Sequence, residues 1–180
     1  RRFKENSPVR EDILHYIIDC ARLSGSPRNQ QSLKFKIVSH SDERKELFKH
    51  TAWAGALKDW PGPKKGERPA AYILIFDDLE IAPKASKRWS ETAAGIALQS
   101  MILAAEEHGL GACTIAAVNR PAITKFFKTS PNLKLLIVLA LGEPNEVVKI
   151  TELKNGNFNY YRDEKGIHYV PKRSLDELII

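Results

Sequence analysis

The sequence predicts a layered fold in which helices cover both faces of a β-sheet. Two uninterrupted apolar runs, residues 70–76 and 135–141, predict buried strands. Residues 33–37 alternate apolar and charged side chains, which is typical of a strand with one face in water. Helical spacing fills the segments between these strands, and nothing divides the chain, so we expect one domain over residues 1–180.

The first helix is expected to begin with Ser7 as its N-cap and Pro8 as its first helical residue. Apolar residues then recur at every fourth position, which gives the helix one buried face: Val9, Ile13, Ile17 and Ala21. Ser24 and Gly25 mark its end.

Turns and regular elements then alternate up to the first buried strand. A polar turn at residues 26–32 leads into the alternating strand. Charged residues with spaced apolar positions predict a helix over residues 42–57. Two prolines and two glycines predict a loop over residues 59–66, just before the strand at residues 70–76.

The most apolar helix is expected over residues 92–108. A helix that is apolar nearly all round is buried, either in a core or in an oligomer interface. Its polar exceptions, Thr92 and Gln99, flank Gly95 on one narrow stripe. Backbone could approach another group along that stripe.

The second half of the chain predicts further strands and two short helices. Pro121 opens a helix, and a short apolar helix is expected over residues 175–180. Strands are expected at residues 112–118, 135–141, 158–161 and 168–170.

The composition fits a globular protein of ordinary size. The chain has 180 residues, 43% of them hydrophobic, which is enough for a sizeable core. Cys20 and Cys113 lie far apart, so they indicate neither a disulfide framework nor a zinc knuckle, and a reduced cytoplasmic setting is expected. The apolar runs are much shorter than the roughly 20 residues of a membrane span. Because Met101 is the only methionine, we expect the true start to lie upstream of Arg1.

The net charge of +6 raises the possibility of a polyanionic partner. The basic residues occur in small groups and do not form one run with interleaved aromatic residues, as a single-strand binding platform would. A modestly basic surface is therefore favoured over a nucleic-acid site.

Familiar catalytic motifs are missing from the sequence. It contains no glycine-rich phosphate loop, no nucleophile elbow and no histidine pair with zinc spacing. Cys113 begins a predicted buried strand and is interpreted as a core residue. An enzyme with this sequence would depend on a cofactor for its chemistry.

Five segments in order resemble motifs of the FMN-dependent nitroreductase family and together cover nearly the whole chain. Residues 24–35 resemble its A-P-S-x-x-N-x-Q-P-W-x-F pattern, and residues 1–3 resemble the end of its opening R-x-S-x-R-x-F. Residues 95–113 resemble its central helix and following strand. Residues 139–144 resemble its late strand end, and residues 170–175 its C-terminal basic motif.

The resemblance implies an α+β fold, a three-layer α/β/α sandwich with a mainly antiparallel central sheet. It implies a cytoplasmic homodimer with FMN at the interface and no membrane contact. The implied activity is ping-pong: NADH or NADPH transfers hydride to flavin N5, leaves, and is replaced by a nitroaromatic, a quinone or a related small-molecule acceptor. No side chain need act as a catalytic acid or base, because the flavin carries the chemistry.

The resemblance also assigns cofactor-binding residues. Guanidinium and ammonium groups suit the FMN phosphate, and the set comes from both ends of the chain: Arg1, Arg2, Lys172 and Arg173. Amide side chains suit the donor and acceptor edge of the isoalloxazine, which the resemblance assigns to the polar turn: Ser26, Pro27, Arg28, Asn29 and Gln31. Arg28 or Arg1 would stabilise negative charge near N1 of the reduced ring. A backbone N–H donor to N5 is assigned to the end of the next strand: Ile115, Ala116 and Ala117.

Some positions depart from the family pattern. Ser32 and Leu33 replace its Pro-Trp, Ala116 stands where many members have an acidic residue, and Ala93 replaces an aspartate. The loop over residues 53–68 is either a cover for the acceptor pocket or an ordinary surface loop. Two other functions stay open: a flavin-binding relative without turnover, and a basic module that binds nucleic acid or an acidic partner.

Overall fold

The computed structural model describes residues 1–81 and 87–180. The helices in this part are α1 (Glu11–Leu23), α2 (Ser41–Lys49), α3 (Lys87–Glu107) and α4 (Arg120–Phe126). The strands are β1 (Leu33–Val38), β2 (Ala71–Asp78), β3 (Gly111–Ile115), β4 (Leu133–Gly142), β5 (Val148–Glu152), β6 (Tyr161–Arg162) and β7 (His168–Lys172).

The central sheet has four strands in the order β1-β2-β4-β3, and every neighbouring pair is antiparallel. β1 and β3 are therefore its two edges. A second sheet has the order β5-β7-β6, with β5 and β7 parallel and β6 antiparallel to β7. The mainly antiparallel central sheet expected from the sequence is confirmed.

The two faces of the central sheet carry separate cores. Along β2, Ala71, Ile73 and Ile75 face α1 and α3, because alternate residues of a strand point to opposite faces. The residues between them pack with Leu47 of α2 and Ile123 of α4. Helices thus cover both faces, and the three-layer α/β/α sandwich is confirmed.

The first helix begins later than the sequence predicts. α1 begins at Glu11, and Arg10 occupies the N-cap position without a capping hydrogen bond. The predicted N-cap at Ser7 is wrong because its hydroxyl donates to Glu143 Oε2 at 3.0 Å, a residue 136 positions away in the sequence. A distant acceptor has replaced the local one.

The helix expected over residues 42–57 ends at Lys49. Beyond it, Thr51 forms an isolated bridge with Val118, and the Trp53 side chain is buried in the second core. These contacts require extended backbone, so a helix cannot continue.

α3 is the long central helix, but it is not buried all round in a single chain. Met101 and Ala105 are fully buried, whereas Ile96 is 41% exposed and Leu103 is 62% exposed. With Thr92 and Gln99 they form one open stripe, here called the α3 stripe. Burial in this chain's own core therefore does not explain these apolar side chains, and the interface interpretation stays open.

The C-terminal segment differs most from prediction. Residues 175–180 form only a turn, with the Leu178 and Ile179 amides donating to the Leu175 carbonyl, and their apolar side chains are exposed. The expected helix is absent because so short a segment gains too little without packing. β5 was not predicted, and the strand expected at residues 158–161 is only the short β6. Among the described helices, none is long and apolar enough to cross a membrane.

Candidate flavin site

The polar turn ahead of β1 has an unusual backbone. Pro27–Asn29 form one turn of 3₁₀-helix, and Arg28, Asn29 and Gln31 have φ angles of 56°, 53° and 52°. Left-handed conformations in residues other than glycine are uncommon and cluster at functional sites. The Gln31 amide donates to Ser26 Oγ at 3.3 Å, which holds the turn closed and leaves the Arg28, Asn29 and Gln31 side chains exposed.

A buried carboxylate anchors this turn to the sheet. Asp77, at the end of β2, is 4% exposed and accepts the Ser32 hydroxyl at 2.7 Å and the Ser90 hydroxyl at 2.6 Å. Ser32 stands where the family pattern has a proline, and its hydroxyl ties the turn to β2. Ser90 ties the first turns of α3 to the same point.

Asp77→Ala is expected to lower the free energy of unfolding by about 2–4 kcal/mol, because two buried hydroxyls lose a charged acceptor. Urea unfolding at pH 7 measures the loss. Asp42→Ala is the matched control, since Asp42 is almost fully exposed in its ion pair with Lys45. We expect the control to change stability by less than about 0.5 kcal/mol. Equal stability of both variants would contradict the anchoring role.

The end of β3 presents two backbone donors. Ile115 is buried in the core, while Ala116 and Ala117 are exposed. Their carbonyls are both occupied: Ala116 O accepts from the Val118 amide at 3.1 Å, and Ala117 O accepts from the Ala52 amide at 2.9 Å. The Ala116 and Ala117 amides donate to no residue in the described part of the chain.

The turn and these amides lie at the same end of the sheet but on opposite edges. β1 starts where β3 ends, because both pair through β2 and β4 in antiparallel register. Three strand spacings separate the edges, which amounts to about 14 Å. The structure therefore does not bring Asn29 or Gln31 next to Ala116 within one chain.

Basic residues converge near the other end of β3. Phe3 pairs with Pro144 after β4 and brings Arg1 and Arg2 there. The Arg1 guanidinium lies 4.0 Å from the Tyr160 ring centroid and contacts His168 Nε2. Arg162 donates to Glu146 Oε2 at 2.7 Å. Here the group is called the arginine cluster: Arg1, Arg2, Arg162 and His168.

The arginine cluster holds buried donors that have no hydrogen-bond partner among the described residues. They are Nε of Arg2, Nε and one terminal nitrogen of Arg162, and Nδ1 of His168. His168 Nε2 faces the Arg1 guanidinium, so its proton is assigned to Nδ1, which makes this nitrogen a donor as well. Arg2 Nε has only a loose ion pair with Glu67, at 3.5 Å. Orphaned buried donors call for a missing acceptor, and an anion with several oxygens fits this set.

A cavity of about 470 Å³ opens beside the arginine cluster. Trp60 covers Arg162, with its ring centroid 4.1 Å from the guanidinium carbon. The polar lining also includes Arg2, Lys58, Asp59 and Tyr161. The loop over residues 53–68 thus contacts the candidate site through Trp60.

His168 should make stability depend on pH. It is 2% exposed, and burial, followed by repulsion from Arg1, lowers its pKa to about 4. The unfolded chain takes up a proton on this histidine near pH 6.5, so its full contribution to stability is present above that pH. The free energy of unfolding then falls as the pH drops toward 4. We expect a loss of about 1–2 kcal/mol between pH 7 and pH 5, measured by urea unfolding.

His168→Gln should flatten that dependence, because glutamine does not titrate. His15→Gln is the control, since His15 is largely exposed on α1. An unchanged slope in His168→Gln would refute the assignment of the pH dependence to this residue.

Lys172 and Arg173 lie away from the arginine cluster. They follow His168 along β7 by four and five residues, so Lys172 is roughly 13 Å further along the strand. Arg173 pairs with Glu177 at 3.6 Å, and both basic side chains are exposed. Their assignment to the phosphate stays a prediction.

Burial raises the pKa of the Cys113 thiol, so a core role fits this residue better than nucleophilic attack.

Sequence reasoning missed three residues of this site. Arg162 and His168 carried no signal, because His168 contacts Arg1 from 167 positions away in the sequence and Arg162 joins the cluster through Glu146. Arg120 had a weak one: Asn119 and Pro121 mark a helix start after a strand, which puts Arg120 at the junction. Its guanidinium donates to the Ala116 carbonyl at 3.3 Å.

The sequence profile described as the Nitroreductase family matches residues 1–143. The chain belongs to the nitroreductase family. Its resemblance to that family over these residues is therefore confirmed, whereas the match leaves out residues 144–180, which contain the predicted C-terminal basic motif.

Individual proteins resemble this nitroreductase-family chain in sequence or in fold. An iodotyrosine deiodinase of Thermotoga neapolitana is 27% identical over 161 residues, which cover 81% of this chain and 83% of that protein. A nitroreductase family protein of Streptococcus pneumoniae TIGR4 superposes with a TM-score of 0.69 at 15% identity, over 100% of this chain and 94% of the other. An FMN-dependent nitroreductase of Clostridium difficile R20291 gives 0.62 at 18% identity, over 87% and 88%.

Proposed function

We propose that this chain is an FMN-dependent oxidoreductase that uses NADH or NADPH to reduce nitroaromatics, quinones or related acceptors. The observation that carries the proposal is the arrangement along edge strand β3. Two amides that donate to no residue in the described part of the chain follow its end, whereas Phe3, which lies beside Gly111 and pairs with Pro144, brings Arg1 and Arg2 to its start. An elongated cofactor with a phosphate at one end and a hydrogen-bonding ring at the other suits this arrangement.

The residues of the chain divide the work of holding FMN. The Ala116 and Ala117 amides would hold the N5 edge of the ring, beside Ile115. The orphaned donors of the arginine cluster would hold the phosphate. Bound FMN supplies two-electron transfer between the nicotinamide and the acceptor. Trp60 is placed to exclude water from the phosphate end.

The active unit in this proposal is a homodimer in the cytoplasm. The turn with Ser26, Pro27, Arg28, Asn29 and Gln31 precedes the edge strand opposite β3, and about 14 Å separates these two edge strands within one chain. A second chain can bring that turn to the ring. The open α3 stripe supplies an apolar surface for such an interface.

The colour and spectrum of the purified protein test the proposal directly. A yellow protein that releases FMN on denaturation and oxidises NADH or NADPH with menadione or a nitrofuran supports it. A colourless protein that cannot be reconstituted with FMN refutes it. A yellow protein without turnover indicates a flavin-binding relative, and salt-sensitive nucleic-acid binding by a colourless protein indicates a basic module.

The similarity to a deiodinase favours a second candidate, reductive removal of iodide from an iodotyrosine. Two electrons and one proton would replace the carbon–iodine bond with a carbon–hydrogen bond and release iodide. Iodide release from 3-iodotyrosine, with NADPH or dithionite as the reductant, tests this candidate. Turnover of menadione without iodide release excludes it.

The phosphate assignment predicts a difference between FMN and riboflavin, which lacks the phosphate. Arg162→Gln is expected to weaken FMN binding by about tenfold and leave riboflavin binding unchanged, because a charge-assisted donor to phosphate is lost. Fluorescence titration of the apoprotein with both flavins measures the ratio.

The double variant Lys172→Gln with Arg173→Gln separates the two phosphate assignments. If this variant, and not Arg162→Gln, lowers the FMN preference, the C-terminal pair holds the phosphate. Arg22→Gln, a change on the surface of α1, should leave both affinities unchanged.

A further inference from the structure

Arg120 ties together three carbonyls at the end of the sheet. Its Nε donates to Leu135 O at 3.1 Å, and one terminal nitrogen donates to Leu136 O at 2.8 Å and to Ala116 O at 3.3 Å. It lies at the first position of α4, directly after the N-cap Asn119. The guanidinium therefore bridges the inner strand β4 and the segment that leaves β3.

In the described part of the chain, no ion pair neutralises the charge of Arg120. Among residues 1–81 and 87–180, no carboxylate lies within the 4.0 Å of an ion pair with Arg120. Its hydrogen bonds go to backbone carbonyls instead, and these are charge-assisted bonds that polarise the groups they contact. The polarising effect is thus directed at the peptide backbone.

The hydrogen bond from Arg120 to the Ala116 carbonyl affects the Ala117 amide, because both groups belong to one peptide unit. The Ala116 carbonyl and the Ala117 N–H belong to the same planar group, so a cation at the oxygen draws electron density from the nitrogen. The Val118 amide donates to the same oxygen at 3.1 Å and adds to the effect. The Ala117 N–H becomes a stronger donor, and the plane of its peptide is fixed.

We propose that Arg120 is a positioning residue that orients the Ala116–Ala117 peptide and strengthens the Ala117 N–H as a hydrogen-bond donor to a ring nitrogen of the ligand. The inference rests on the proposed function, in which that nitrogen is N5 of FMN. In this role Arg120 does not contact the flavin. It acts through the Ala116–Ala117 peptide, whose carbonyl its guanidinium binds.

A pair of flavins that differ at one atom tests the proposal. 5-Deaza-FMN carries a C–H where FMN carries N5, so it cannot accept this hydrogen bond but keeps the phosphate and the rest of the ring. The apoprotein should bind FMN more tightly than 5-deaza-FMN. In Arg120→Gln that preference should fall by about 3- to 10-fold, since the hydrogen bond is weakened and its donor less well oriented.

Two further variants separate positioning from general structural damage. Arg120→Lys keeps the charge with poorer geometry and should give an intermediate preference. Lys125→Gln removes an exposed cation from the same helix and should leave the preference unchanged. Thermal unfolding of all three variants records any loss of fold, which would weaken both flavins alike and leave their ratio unaltered.

Each result bears on a separate claim. A full FMN preference in Arg120→Gln overturns the proposal, as does equal affinity of the unmodified protein for the two flavins, and in either case the oxidoreductase assignment survives. Failure of the unmodified apoprotein to bind either flavin overturns both this inference and the proposed function. A reduced preference in Arg120→Gln with normal thermal stability supports the positioning role.

Discussion

Leu103→Lys is expected to convert the protein into a monomer that loses FMN during gel filtration. Leu103 is 62% exposed on the α3 stripe, beside Ile96, and the proposed interface would bury it. Burying an unpaired ammonium group costs several kcal/mol, so we expect the dimer dissociation constant to rise by at least about 100-fold. Light scattering gives the mass, and absorbance near 450 nm gives the flavin that remains.

Ile150→Lys is the control for this change. Ile150 is 66% exposed on β5 of the second sheet and is not part of the α3 stripe, so its replacement should leave mass and colour unchanged. A yellow dimer in Leu103→Lys would show that the chains associate through another surface.

Phe3→Ala is expected to lower the free energy of unfolding by about 3–5 kcal/mol, the usual cost of removing a buried aromatic ring. Phe3 is 1% exposed and packs against the backbone of Gly142, where an added Cβ would lie 3.1 Å from the Phe3 Cβ. Its ring also reaches Gly111 at the start of β3. Urea unfolding measures the loss, and FMN affinity should fall with it, since Phe3 sets the position of Arg1.

Phe158→Ala provides a matched comparison. Phe158 is 71% exposed, and its truncation should change stability by less than about 0.5 kcal/mol. Similar losses in both variants would mean that Phe3 is not a core residue.

The buried strands were predictable because their signal is local. Residues 70–76 and 135–141 are continuous apolar runs, and they became β2 (Ala71–Asp78) and β4 (Leu133–Gly142). A strand covered on both faces needs apolar side chains at every position, and few other structures tolerate that pattern. α4 was placed well for a similar reason, since Pro121 fixes a helical φ at its first turn.

Elements that depend on distant partners were mispredicted. Ser7 has the chemistry of an N-cap, yet its hydroxyl binds Glu143, 136 residues away. Trp53 ends the second helical segment by entering the core. No periodicity within a short window reports such contacts.

The residues of the candidate site differ in the same way, according to whether a local motif or only the fold identifies them. The turn with Asn29 and Gln31 and the strand end with Ala116 followed from the family resemblance, because both belong to contiguous motifs. The arginine cluster required the fold, since Arg162 and His168 carry no pattern that links them to Arg1. The pairing of Arg1 with Lys172 and Arg173, and the extent of the domain over residues 1–180, stay predictions.

The side chains of edge strand β1 oppose aggregation of the protein at high concentration. Lys34 and Lys36 alternate with partly buried Leu33, Phe35 and Ile37 along an edge that no strand among residues 1–81 and 87–180 covers. If two such edges met in antiparallel register, their lysines would crowd together, and like charges would oppose fibril-type growth. The same lysines that make the sequence basic therefore act as gatekeepers of a pairing-competent edge.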